Sequence, residues 1–182
     1  MRPARLQPGV GPDDHVQGPQ DAPITLVEYG DFECSYCGQA YPIVKALQQR
    51  LGAHLRFAFR HFPLTEAHPH AEHAAEAAEA AGAHGRFWAM HDALYEHQQR
   101  LDDAALAAYA VAIGLDGGQL LEALDDGTFA PLVREDFMSG VRSGVNGTPA
   151  FFINGARWDG PWTDEDGFLL ALHESAGTRT GR

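Results

Sequence analysis

Glu33-Cys34-Ser35-Tyr36-Cys37-Gly38 holds both cysteines of the 182-residue chain, and its reading decides the rest. Two thiols separated by two residues can close a small ring when they open a helix, so dithiol and disulfide are both sterically accessible. That is the requirement of a redox switch. The same spacing is also half of a zinc site, which a second Cys pair or a Cys/His pair at ligand spacing would complete. The sequence has no second Cys pair, and from the residues alone the switch and the metal half-site both stand.

Working outward, Ile24 to Tyr29 has the β-branched and aromatic bias of a buried strand, punctuated by Pro23 and Gly30. Alternation puts Glu28 on the face of Ile24 and Leu26, an acid in a largely apolar setting. From Cys34 to about Leu51 the apolar residues Cys37, Tyr41, Val44, Leu47 and Leu51 recur at helical steps, with Pro42 expected to kink the helix. Leu55, Phe57 and Phe59 alternate with Arg56 and Ala58 as a second strand, which ends at Arg60 and His61. Residues 67–144 read as helix after helix, including an alanine face at 71–81 set opposite Glu72, Glu76 and Glu79. Beyond them, Gly147-Thr148-Pro149 leads into a strand from Ala150, and Asn154-Gly155 is a two-residue hairpin signal. Thr163, with Asp166 three residues on, is expected to cap a final helix. Residues 1–12 are rich in Pro and Gly and read as a flexible arm.

Composition narrows the function. A formal charge of -12 argues against nucleic acid or an anionic membrane as the main partner. No stretch approaches the length of a membrane span, and residues 1–20 lack the basic start and apolar run of an export signal. The expected compartment is the cytoplasm, where a cysteine pair is more often catalytic or metal-binding than a structural bridge. Among the ten histidines, His68, His70 and His73 invite a metal reading. Pro69 interrupts any helix that would align the first two, so they are read as exposed residues at a helix start. Arg60 and His61 could bring positive charge toward the cysteines.

Taken together, these motifs resemble the DsbA-like branch of the thioredoxin superfamily, in which a helical domain is inserted into a thioredoxin fold. Cys34-Ser35-Tyr36-Cys37 follows a central strand; Glu28 lies six residues before Cys34, where that family places a buried acid; Pro42 lies five after Cys37, where thioredoxins kink the active-site helix. Thr148-Pro149 precedes a strand, as the family's cis-proline does. The resemblance, which extends to small cytoplasmic or membrane-tethered members, implies an α/β thioredoxin-like domain made of residues 13–66 and 145–182, with an inserted helical subdomain at 67–144. It implies a thiol-disulfide oxidoreductase, isomerase-like, that acts on protein or small-molecule thiols and disulfides and exchanges electrons with an unidentified redox partner. No cofactor is implied beyond the Cys34/Cys37 disulfide itself, and no metal.

The expected roles follow from that frame. At a helix N-terminus Cys34 meets unsatisfied N–H groups and the positive end of the helix dipole, which favours its thiolate and makes it the nucleophile. Cys37, one turn in and more buried, resolves the mixed disulfide. Glu28 carries the Cys37 proton, and Thr148 with a cis Pro149 holds the substrate main chain. Ser35 and Tyr36 set the driving force. They offer no cation to the thiolate, and Asp31 and Glu33 add like charge beside it, so a strong oxidant is not expected. The alternative is a non-catalytic binding or redox-sensing module, or a metal site built on the cysteines.

Overall fold

The computed structural model describes residues 4–177. In chain order the elements are β1 (His15–Gln17), β2 (Ile24–Gly30), α1 (Ser35–Leu51), a short 3-10 turn at Gly52–His54, β3 (Leu55–His61), α2 (Ala71–Gly82), α3 (Phe87–Glu96), α4 (Asp103–Ala112), α5 (Gly117–Asp125), α6 (Ala130–Arg142), β4 (Ala150–Ile153), β5 (Ala156–Trp158) and α7 (Glu165–Gly177). The order strand, helix, strand, helical block, hairpin, helix is the one the sequence predicts, with β1 added. The sheet runs β1-β3-β2-β4-β5, and the β1/β3, β2/β4 and β4/β5 pairs are antiparallel. β2 lies in its middle and, Thr25 apart, is buried throughout, which explains its near-continuous apolar run. Glu28 stands opposite Phe151, and Tyr29 opposite Ala150.

The chain packs as two compact units, one of 30–38 and 61–138, the other of 39–60 with the described residues up to 29 and from 139 onward. Residues 30–38 group with the helices because Phe32 sits among His61, His91 and Tyr95, with ring centroids 5.8, 5.7 and 4.9 Å away. Helix α6 divides after Met138; in the sheet-bearing unit, Ser139 Oγ lies 2.7 Å from the Tyr29 hydroxyl.

In the sheet-bearing unit, Asn154 and Gly155 both take positive φ, 50° and 78°, the two left-handed residues that a tight hairpin of matching twist requires. Phe168 of α7 is fully buried, stacked on Trp158 at 4.2 Å and edge-on to Phe151 at 5.0 Å. The cap of α7 is Asp164, whose Oδ1 accepts from Gly167 N at 3.2 Å, so the expected start at Thr163 shifts by one residue.

The described part of the N-terminal segment is not a flexible arm. Leu6 N donates to Gly155 O, Arg157 N to Ala4 O and Gln7 N to Ser143 Oγ, while Arg5 bridges to Ala156. The Arg60 guanidinium then donates to Pro8 O, Gly9 O, both Asp14 oxygens and the Tyr29 hydroxyl. Pro and Gly content marked irregular backbone correctly, but a buried arginine with five donors supplies the order that composition cannot show.

In the helical unit, α2 packs on α3, α4 and α5. Asp102 and Asp116 cap α4 and α5 through Ala105 N and Gln119 N. The three glutamates expected on the solvent face of α2 do not share it: Glu76 is 3 % and Glu79 7 % exposed. Burial pushes the Glu76 carboxyl above its usual range; His73 opposes this and Glu72 adds to it. A carboxyl whose native pKa is raised binds its proton more tightly folded than unfolded, so its contribution to stability declines as pH climbs from the ordinary carboxylate value through the native one. Glu76→Gln, which keeps an acceptor for the Ala130 N–H, is expected to melt higher than the parent at neutral pH. The two curves should converge in acid. Equal melting temperatures across that range would contradict the assignment.

Candidate active site

The chain leaves β2 at Gly30 and turns through Asp31, Phe32 and Glu33 before α1 begins at Ser35. Cys34 N donates to Asp31 O at 3.1 Å, and Gly38 N donates to Cys34 O at 3.0 Å, the first helical hydrogen bond. Cys34 thus caps α1 with its main chain, with the N–H groups of the first turn ahead of it. Both cysteines are thiols and both are buried, Cys34 at 5 % exposure and Cys37 completely, so Cys34 is the outer of the two. Ser35 and Tyr36 are exposed, Tyr36 by 61 %.

Sequence reasoning missed the two side chains that hold this loop. Gln98, beyond α3, donates through Nε2 to Phe32 O at 2.7 Å and Cys34 O at 2.9 Å. Its Oε1 approaches so closely that a Cβ on residue 38 would overlap it, which accounts for Gly38 inside a helix where glycine is otherwise unfavourable. A lone glutamine in a loop far along the chain carries no pattern that could have announced it.

The second is His68. Asp31, its side chain fully buried, accepts through Oδ1 from Glu33 N at 2.8 Å and through Oδ2 from Leu64 N at 2.9 Å, and the same Oδ2 lies 2.8 Å from His68 Nδ1. Burial of the ring works against its protonated form. The bond to Asp31 and that residue's charge outweigh this, aided by Cys34 and Glu33, so the His68 pKa is raised. His68 is therefore a partner of the cysteine loop, not the exposed helix-start residue expected. Glu33 Oε2 accepts from His70 N at 2.7 Å, tying the loop again to the start of α2.

Arg60 and His61 end β3 in ion pairs of their own. Arg60 is consumed by Asp14 in the sheet-bearing unit, and in the helical unit His61 Nε2 meets Glu79 Oε1 at 2.8 Å while its N–H donates to Asp136. Among the described residues, one His/Cys/Asp/Glu trio places ligand atoms within 4.8 Å of one another, and it is His61, Glu79 and Asp136, without either cysteine.

The remaining expected site residues belong to the sheet-bearing unit. Glu28 is 2 % exposed in β2. The Thr148–Pro149 peptide bond is cis, and both residues are half-buried ahead of β4.

The family model described as Thioredoxin matches residues 11–168. The chain belongs to the thioredoxin family. Its fold is DsbA-like. BdbD from Bacillus subtilis, in its oxidised form, superposes with a TM-score of 0.86 at 23 % identity, over 97 % of this chain and 100 % of that one. A thioredoxin-like oxidoreductase from Silicibacter pomeroyi DSS-3 is 26 % identical with a TM-score of 0.79, over 92 % and 94 %. In sequence, the Na(+)/H(+) antiporter NhaA 1 of Salinispora arenicola is 48 % identical over 171 residues, which are 93 % of this chain and 26 % of the antiporter. The chain spans about a quarter of the length of the curated relatives it matches. Among its described residues no helix is long and apolar enough to cross a membrane.

Proposed function

We propose that this thioredoxin-family chain is a thiol-disulfide oxidoreductase. One observation carries the reading: Cys34 caps α1 with its main chain and sits one helical turn before Cys37, both as thiols, Cys34 the less buried of the two. In the reducing direction, the Cys34 thiolate attacks a substrate disulfide, forming a mixed disulfide and releasing one substrate thiolate, which takes a proton from solvent. Cys37 then loses its proton and attacks Cys34 Sγ, releasing the second substrate thiolate. Two electrons pass from the dithiol to the substrate and the enzyme is left as the Cys34–Cys37 disulfide; an external dithiol or glutathione restores it.

Glu28 is the proton carrier for Cys37 in this scheme, supported by its burial and by its place in the family pattern. Glu28→Gln is expected to slow release from the mixed disulfide about tenfold with initial attack unchanged. Equal release rates in rapid-quench experiments would remove that role. Thr148 and Pro149 take the substrate's main chain, and Ser35 and Tyr36 tune the potential away from the strongest oxidants. Protein and small-molecule disulfides are the substrates, in the cytoplasm. Where such a domain is carried on an antiporter, as the matched region of the Salinispora relative suggests, the exchange would take place beside the membrane. The direct experiment is turnover of insulin disulfides by the reduced chain with a glutathione-coupled readout. Sustained turnover supports the reading; none would overturn it.

A further inference from the structure

We infer that the His68–Asp31 pair is the cationic support of the Cys34 thiolate, a positioning and tuning device that the Ser35–Tyr36 dipeptide does not supply. The inference deepens the exchange reading and rests on it for its consequence, though not for its first readout. The geometry lies within the helical unit. Asp31 is anchored by the Glu33 and Leu64 amides and holds the His68 ring at 2.8 Å, while its own carbonyl accepts the amide of Cys34. One residue therefore fixes both the imidazole and the start of the cysteine turn. The charges acting on the ring are Asp31, Cys34 and Glu33, all from the loop before α1; the segment carrying the ring adds the Leu64 N–H to the same carboxylate.

Two consequences follow. First, Asp31 does not act on Cys34 as a bare negative charge, since two amides and an imidazolium answer it; its expected penalty on the thiolate is largely removed. Second, the coupling is reciprocal: if a thiolate at Cys34 favours protonated His68, protonated His68 favours the thiolate by the same free energy. Stabilising the thiolate stabilises the dithiol form and makes the couple more oxidising. Because the ring is one-quarter exposed, with its side chain 24 % accessible, solvent screening limits the effect to that of a partly exposed charge pair.

The test begins with the unaltered chain. The His68 ring is titrated by NMR in the dithiol and disulfide forms. Its pKa is expected to be lower in the disulfide, where Cys34 carries no charge; the same pKa in both forms overturns the inference. Then the reduced chain, His68→Gln and His68→Lys are alkylated with iodoacetamide across the acid and neutral range, with the Cys34 peptide followed by mass spectrometry. His68→Gln is expected to lose about fivefold in Cys34 alkylation at mildly acidic pH and to move to a more reducing potential, whereas His68→Lys keeps both near the parent. A glutamine variant that matches the parent, or a lysine variant that matches glutamine, overturns the charge role. Absence of insulin turnover in the parent with these shifts intact would overturn the exchange reading and leave the His68 coupling standing, so the two failures are distinguishable.

Discussion

Replacing Cys34 with serine is expected to reduce disulfide turnover to background, a loss on the order of a thousandfold or more, while leaving the melting temperature within a degree or two of the parent. A serine hydroxyl stays protonated where the thiol ionises, and neither the helix N-terminus nor a protonated His68 removes that proton. Cys34 is 5 % exposed at the first position of the cap, and serine fills that space with little change, which keeps the loss chemical and not structural. The companion change at Cys37 should behave differently. Cys37→Ser leaves the attack intact and removes the resolving thiol, so a substrate disulfide is trapped on Cys34 and accumulates as a stable adduct. The mass of the full chain with substrate attached reads this directly. Turnover that survives in Cys34→Ser would mean that the exchange, if present, does not pass through this residue.

The largest effect on stability is expected at Arg60. Its side chain is 3 % exposed and ends in five hydrogen bonds, two of them to Asp14, whose own side chain is 9 % exposed. Burial works against the charge, and the bonds to Asp14 and Tyr29 more than offset it, so the guanidinium is held charged far above any accessible pH. Arg60→Met fills much of the volume but strands two carbonyls and leaves the Asp14 carboxylate, still bonded to the Gly11 amide, without its cation, and is expected to cost about 3–5 kcal/mol. Urea denaturation followed by circular dichroism measures it as a fall in midpoint at unchanged slope. Adding Asp14→Asn to the methionine variant should recover part of the loss, because the second change removes the charge left without a counter-ion. A midpoint within experimental scatter of the parent would show that the network is incidental to the fold.

How far the sequence reaches depends on whether a feature is local. The hairpin at Asn154-Gly155, the β2 strand and the α1 helix were legible because turn chemistry, β-branched bias and helical periodicity act over a few residues. The cysteine pair with Glu28, Pro42 and Pro149 was legible as a spacing pattern. Local signals misled at residues 4–12, the described part of the segment that Pro and Gly marked as a loose arm, where main-chain bonds and Arg60, far along the chain, hold it. They misled again at α2, where the (i, i+4, i+7) pattern of glutamates resembled a solvated face although Glu79 meets His61 and Glu76 is buried. His68 and Gln98 escaped for the same reason. Each reaches the cysteine loop from a segment more than thirty residues away, and no periodicity encodes such a contact. The reading of Asp31 as a like charge beside the thiolate left out His68, because sequence shows the acid and hides the histidine bonded to it.

The most direct test of the central claim is the redox equilibrium of the two cysteines. The chain is equilibrated with glutathione buffers of graded ratio, quenched with acid, alkylated and weighed. A single two-electron transition from dithiol to a Cys34–Cys37 disulfide is expected, at a potential less oxidising than the roughly -120 mV of the strongest oxidants and nearer the isomerase or thioredoxin range of about -180 to -270 mV. A pair that stays reduced at every ratio, and co-purifies with stoichiometric zinc that is lost in Cys34→Ser, would contradict it.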